Sequence, residues 1–88
     1  MNAIELIQRE REEQVEKHGF DAAHDDAHQK GEIKQAALAI LIEHHNYWPW
    51  QMSHFRKIVA KPRKEKLIIA GALIVAEIER LQRAEVAR

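Results

Sequence analysis

The segment from Leu67 to Ile78 limits what this chain can fold into more than any other part of its sequence. It is apolar at almost every position, with Glu77 as its one charged residue. A helix that is apolar all round must be enclosed by other helices. A chain of 88 residues buries a small share of its surface, so we expect a second copy to supply part of that enclosure. The most apolar part, Leu67 to Ala76, is about half the length of a membrane span, and we expect none.

The composition favours a single all-α domain over residues 1–88. Three glycines and two prolines leave few turns for an all-β fold, and the absence of cysteine excludes disulfides and thiolate metal sites. The sequence starts without the basic and apolar regions of a signal peptide. We therefore expect a protein of the reducing cytoplasm.

Two long apolar-faced helices are predicted to form a bundle. The first of these begins at Asp25 or Asp26, because Asp26 and Gln29 have capping-box spacing, and it ends near Asn46 or Tyr47, ahead of Pro49. Its apolar stripe repeats at steps of three and four and comprises Ile33, Ala36, Ala37, Ile40, Leu41 and His44. The other begins at Pro62 and can continue into the final residues. Gly71, among small residues, lets another helix come close.

Shorter or more polar helices bring the expected number to three or four. Asn2 and Glu5 form a capping box for a first helix that runs to about His18 and ends at Gly19. The apolar spacing between Gln51 and Ala60 predicts another short helix. We expect Tyr47, Trp48 and Trp50 to close one end of the bundle as a hydrophobic plug.

The net charge of zero hides opposed halves. Residues 1–50 hold ten acids against five lysines or arginines, and residues 51–88 hold four against nine. Attraction between the halves, within one chain or across a dimer, is the favoured interpretation. Separate sites for cations and for phosphates are the alternative.

Several residues are candidate metal ligands. If one helix includes position 25, Asp25, His28 and Glu32 share a face, as in helical bundles that bind divalent metals. The competing interpretation is a helix start whose acids cap backbone N–H groups. His24 and His28 also have the spacing of a helical zinc pair, although no third ligand is evident.

Glu77 needs a partner, because it lies on an otherwise apolar face of a helix expected to be buried. The favoured partner is structural, with Arg11 or His28 as candidates. The functional alternative is a metal ion shared with Glu32 or Asp25.

A basic segment, residues 56–66, is the third candidate site. Its charges are Arg56, Lys57, Lys61, Arg63, Lys64 and Lys66. Arg63, Lys64 and Lys66 are candidates for binding phosphates of a nucleotide, and the whole segment for binding nucleic acid. A solvated face or pairing with the acidic half explains the same charges, and nucleic acid is the less favoured interpretation.

Taken together, the residues resemble a group of small helical proteins of tailed phages and prophages. The resemblance covers nearly the whole chain and is carried by a set of short motifs: Arg9-Glu10-Arg11 with Gln14, Gly19-Phe20, His24-Asp25-Asp26, Gly31-Glu32, Trp48-Pro49-Trp50 and residues 70–81. It implies a role in the bacterial host cytoplasm. A more distant similarity is to the all-α nucleoside triphosphate pyrophosphatases, where Glu32 and Glu77 match magnesium ligands and the second carboxylate of each pair is missing.

Three hypotheses follow. The first is a non-catalytic phage accessory protein, a homo-oligomer, in the simplest case a dimer, that binds a host protein or ligand. The second is a nucleotide pyrophosphohydrolase or nucleotide-binding protein in which Mg²⁺ or Mn²⁺ is held by Asp25, His28, Glu32 and Glu77 and phosphates by Arg63, Lys64 and Lys66. The third is a nucleic-acid-binding protein that uses residues 56–66.

Overall fold

A computed structural model describes residues 1–86, and regular structure in this range is entirely helical. The all-α prediction is confirmed, with five α-helices in place of three or four. They are α1 (Ala3–His18), α2 (Ala22–Asp26), α3 (Glu32–Ile42), α4 (Met52–Val59) and α5 (Arg63–Val86), with a 3₁₀ helix at His45–Tyr47 before α4. The prediction that the last helix reaches the final residues falls partly outside this range.

Helix α1 has the predicted bounds. The Asn2 side chain accepts a hydrogen bond from the Glu5 backbone N–H at 2.8 Å, and the Glu5 carboxylate accepts one from the Asn2 N–H at 3.2 Å. Gly19 ends the helix with φ of 69°, a conformation that costs glycine little. Local capping alone therefore sets both ends of this helix.

The predicted long second helix is wrong, because the chain leaves helical geometry between Asp26 and Glu32. The N-cap of α2 is Asp21, whose side chain accepts from the His24 N–H at 2.9 Å. The predicted box of Asp26 and Gln29 is replaced by a hydrogen bond from the Gln29 amide to the Asp26 carbonyl. Gly31, at φ of 86°, then turns the chain into α3.

Helix α3 also ends earlier than predicted. Glu43 adopts a left-handed conformation with φ of 54°, and the His44 N–H returns to the Ala39 carbonyl at 3.0 Å. Asn46 and Tyr47 belong to the 3₁₀ helix. The predicted apolar stripe is confirmed for its four members before Leu41, which are buried, whereas Leu41 and His44 are exposed.

The core lies between α3 and α5, and α1 packs on another side of α5. Its buried apolar residues on these two helices and on α4 are Ile33, Ala36, Ala37, Ala39, Ile40, Phe55, Ile58, Ile69, Ala70, Leu73 and Ala76. Trp48 is buried at one end and donates from its indole N–H to the Gln51 carbonyl at 2.9 Å, as expected of the predicted plug, whereas Tyr47 is exposed.

Helix α5 is enclosed on two sides and not all round. Large apolar side chains on the remaining side of α5 stay exposed, as do three on α3. Those of α5 are Leu67, Ile74, Ile78 and Leu81, those of α3 are Leu38, Leu41 and Ile42, and each is between 40% and 54% exposed. We call these seven residues the α3/α5 face. Among residues 1–86, no helix is both long enough and apolar enough to cross a membrane.

Gly71 marks the closest approach of α1 to α5. A Cβ atom at this position would lie 3.0 Å from the Cδ1 atom of Ile7. We expect Gly71→Val to lower the free energy of unfolding by about 1–3 kcal/mol, because a branched side chain would force the helices apart. Urea denaturation measures the change.

Gly71→Ala is the matched control. The single methyl group meets the movable end of Ile7, and alanine gains about 1 kcal/mol of helix propensity over glycine. This variant should stay within about 1 kcal/mol of the parent protein. A Gly71→Val variant as stable as Gly71→Ala would contradict the close approach.

Candidate functional site

Asp25, a predicted metal ligand, is engaged in a buried ion pair. It is 1% exposed, and its Oδ2 atom lies 2.7 Å from the Nη2 atom of Arg11. Its other oxygen lies 3.0 Å from Nδ1 of His24. The Arg11 guanidinium also donates to the Phe20 carbonyl at 2.7 Å and approaches Glu79 at 3.5 Å. Asp25 therefore joins α1 to α2, and Arg11 extends this contact to α5.

The two histidines proposed as a zinc pair also have other partners. His28 donates from Nδ1 to the His24 carbonyl at 2.7 Å, so its Nε2 atom is the acceptor for the Trp50 indole N–H at 3.3 Å. The His24 ring stacks on Phe20, with 4.5 Å between ring centroids. These rings form an aromatic cluster over the turn from α1 to α2.

Glu32 and Glu77 each satisfy a local partner. The Glu32 carboxylate accepts from the Lys30 backbone N–H at 2.7 Å, just before α3. Glu77 accepts from Nε of Arg80 at 2.5 Å, and both side chains are largely buried. This hydrogen bond raises the pKa of the Arg80 guanidinium above its usual range. The expected structural partner of Glu77 is thus Arg80 of the same helix, not Arg11 or His28.

The structure does not bring the four predicted metal ligands together. The break between α2 and α3 removes the common helix face on which Asp25, His28 and Glu32 were expected. Within residues 1–86, no group of three or more histidines and acids has the arrangement of a metal site. The premise of a continuous helix through these positions is wrong, and so is the alternative that Asp25 caps a helix start, because Asp21 caps α2 and Asp25 pairs with Arg11.

The basic segment is partly neutralised by the acidic half of the chain. Lys66 pairs with Glu43 of the acidic half, whereas Lys61 lies 3.8 Å from Glu65, an acid of its own half. Arg63 and Lys66 border an open depression together with Glu43, whereas Lys64 points to solvent. A second ion pair, between Asp26 and Arg83 at 2.8 Å, also joins the acidic half of the chain to the basic half. These contacts support attraction between the halves within one chain.

A polar cleft between α1 and α4 is the site that sequence reasoning missed. It has a volume of about 120 Å³, and α1 contributes Glu10, Glu13, Gln14 and His18 to its wall. From α4 comes His54, whose ring lies 5.4 Å from that of His18. The rest of the wall consists of Phe20, Trp48, Ile58, Lys61, Ile69 and Leu73. The sequence pattern that could have indicated this site is the spacing of three and four residues between the polar side chains of α1. We call this site the α1/α4 cleft.

The cleft shifts the ionisation of two of its groups. Burial raises the pKa of the Glu10 carboxyl, and the negative charge of Glu13 adds to this effect. Burial lowers the pKa of His54, with smaller contributions from His18 and Lys57. The cleft therefore places two carboxylates, Glu10 and Glu13, beside one lysine, Lys61.

Comparison with known proteins adds no relative. No protein-family model matches the chain, and neither a curated protein nor a solved structure matches it. The similarities to phage proteins and to the pyrophosphatases therefore stay predictions from sequence, and function is argued from the structure.

The Arg11–Asp25 pair should dominate the stability of the site region. We expect Arg11→Met to lower the free energy of unfolding by about 3–5 kcal/mol, because it leaves a buried carboxylate without a counter-charge. Urea denaturation followed by circular dichroism measures the loss.

Arg83→Met is the control, since it breaks the more exposed pair with Asp26. Its cost should be about 0–1 kcal/mol. A loss of the same small size for Arg11→Met would show that the buried pair does not hold α1 in place.

Proposed function

We propose that the chain is a non-catalytic binding protein that acts as a homodimer paired through the α3/α5 face. The observation that carries this proposal is the exposure of seven large apolar side chains on the two most apolar helices. Isolated exposed leucines are ordinary, but a contiguous apolar surface is typical of a binding interface. Leu41 borders both depressions on this side of the molecule, one toward Leu67 and the other toward Ile74 and Ile78.

The groove within this face is almost entirely apolar in character. Its walls are Ala37, Leu38 and Leu41 from α3 and Ile74 and Ile78 from α5, with a volume of about 280 Å³. Along α5 the exposed side chains recur at steps of seven, four and three, which places them on one helix side. A helix with the same apolar side can lie in this groove.

The exposed area supports a second copy as the occupant. A folded monomer of 10.3 kDa is expected to expose about 5,400 Å². This chain exposes 6076 Å², and the excess is close to the roughly 800 Å² that each partner buries in a standard interface. Pairing of two copies would therefore return the exposed area to the level of a typical compact protein.

The charges around the face also suit self-association. Acids and bases border it together: Glu43 and Lys66 at one end, Lys34 and Glu77 beside the groove. In a two-fold interface each patch meets its own copy, so a border of mixed sign permits complementary pairs, whereas a border of one sign would repel. An accessory role of the kind found among small phage proteins fits such a dimer, with other surfaces left for a host partner or ligand.

The pyrophosphohydrolase hypothesis has less support, because its four proposed ligands serve four separate structural contacts. The nucleic-acid hypothesis is weakened in the same way, since Lys61 and Lys66 are paired with acids. Neither hypothesis accounts for the apolar face.

Ile78→Glu should convert the dimer into a monomer. A charge in the middle of the face would have to be buried without a partner in the paired state. We expect the parent protein to sediment as a dimer at micromolar concentration and this variant as a monomer with unchanged helix content. Analytical ultracentrifugation and circular dichroism provide the two measurements.

Ile4→Glu is the matched control, because Ile4 is an exposed isoleucine on α1, outside the face. This variant should sediment as the parent does. A monomeric parent protein at tens of micromolar would overturn the proposal.

A further inference from the structure

The Gln14 side chain leaves a hydrogen-bond acceptor buried without a partner at the wall of the α1/α4 cleft. Gln14 is 3% exposed, and among the described residues its Oε1 atom has no hydrogen-bond donor. A buried acceptor in this state costs about 1–3 kcal/mol. Such a group in a cavity wall is satisfied when a donor enters the cavity.

The orientation of the Gln14 amide is set by its neighbour. Its Nε2 atom donates to the Ile69 carbonyl of α5 at 3.5 Å. Exchange of the amide nitrogen and oxygen would place two acceptors against each other, so the oxygen stays the unpaired atom. A ligand that donates a hydrogen bond at this point would therefore satisfy the Oε1 atom of Gln14.

The second independent feature is a pair of acids in the same wall. Glu10 forms no ion pair with any residue of the described chain, and Glu13 reaches only the solvent-exposed Lys17, at 3.9 Å. Lys61 also lines the cleft, and its ammonium lies 3.8 Å from the carboxylate of Glu65. Two carboxylates and the unpaired Gln14 oxygen thus outnumber the single lysine of the wall, which favours a cation over an anion.

The remaining walls suit an aliphatic group. Ile58 and Leu73 are buried apolar side chains, and Trp48 presents an aromatic ring. With a volume of about 120 Å³, the cleft has room only for a small ligand. The acids and histidines do not converge as metal ligands do within residues 1–86. The ligand is therefore an organic cation of a few carbon atoms.

We propose that the α1/α4 cleft binds a primary ammonium group carried on a short aliphatic chain. The three N–H donors of the ammonium match Oε1 of Gln14 and the carboxylates of Glu10 and Glu13. The methylene groups lie against Ile58 and Leu73, and Trp48 adds a cation–π contact. The cleft shares no residue with the α3/α5 face, so this site and the proposed dimer stand or fall separately.

The test is a titration of the ¹⁵N-labelled protein with butylammonium chloride at neutral pH, followed by NMR. We expect saturable shifts at the indole N–H of Trp48 and at the backbone of α1 around Gln14. Butanol has the same chain with a neutral end, and butyrate has a negative end. Saturation by butanol at the same concentration, or no saturation by butylammonium in the millimolar range, would overturn the proposal.

Three variants separate the ammonium contacts from general effects on the fold. Glu10→Gln and Gln14→Leu should each weaken binding by about tenfold or more, since the first removes the negative charge that faces the ammonium and the second removes a hydrogen-bond acceptor. Glu12→Gln, an exposed acid of the same helix outside the cleft, should bind as the parent does. Unchanged affinity in Glu10→Gln would overturn the proposal even if Gln14→Leu failed to fold.

A final arm distinguishes the two sources of such a group. Nα-acetyl-lysine methylamide represents a lysine side chain of a protein, and butylammonium represents a free amine. Binding of both supports the cleft and assigns it to a lysine. Binding of butylammonium alone supports the cleft and assigns it to a small molecule.

Discussion

The buried ion pair of Arg11 and Asp25 is the interaction on which the arrangement of α1 depends. Helix α1 carries few apolar residues, so hydrophobic burial alone holds it weakly. Arg11 reaches the α2 carboxylate, the Phe20 carbonyl and Glu79 of α5 at once, which fixes the rotation of α1 about its own axis. With that rotation set, Gln14 is turned inward and Glu10 and Glu13 line the cleft.

Helix α5 has more apolar surface than the rest of the chain covers. One short chain supplies α3 and α1 as neighbours, and two neighbours cannot surround a helix that is apolar on nearly every side. Small residues such as Ala70, Gly71 and Ala76 let the neighbours pack closely beside the buried Ile69 and Leu73, while Ile74 and Ile78 stay exposed. The apolar surface of α5 is therefore divided between a buried side and an exposed one.

Local signals explain how much of the fold could be predicted from the sequence. The capping box at Asn2 and the apolar spacing of α4 depend on residues three or four apart, and both helices were predicted correctly. The predicted second helix was wrong because its start was assigned from the spacing of Asp26 and Gln29, whereas Asp21 caps α2 and Gln29 bonds to the Asp26 carbonyl. Gly31 at positive φ turns the chain into α3, and the Arg11–Asp25 contact joins residues 14 positions apart, which local spacing does not reveal.

The candidate site was harder to predict for the same reason. Pairs such as Glu43 with Lys66, 23 residues apart, appear once the chain is folded, and the cleft combines side chains of α1 and α4 that have no sequence relationship. The Glu77–Arg80 pair is the exception, because its spacing of three residues is visible in the sequence. The structural partner of Glu77 is thus a local one, three residues along the same helix.

Helix α5 links the two proposed surfaces, since consecutive residues of it serve different sides. Leu73 lies in the wall of the cleft, and Ile74 belongs to the α3/α5 face. A ligand couples two such sites when it binds differently to two states of the element between them. Helix α5 is continuous from Arg63 to Val86 and is held by α1 and α3 along its buried sides. Coupling through α5 would need a second arrangement of this helix, so we expect the proposed ammonium binding and the proposed dimerisation to be independent of each other.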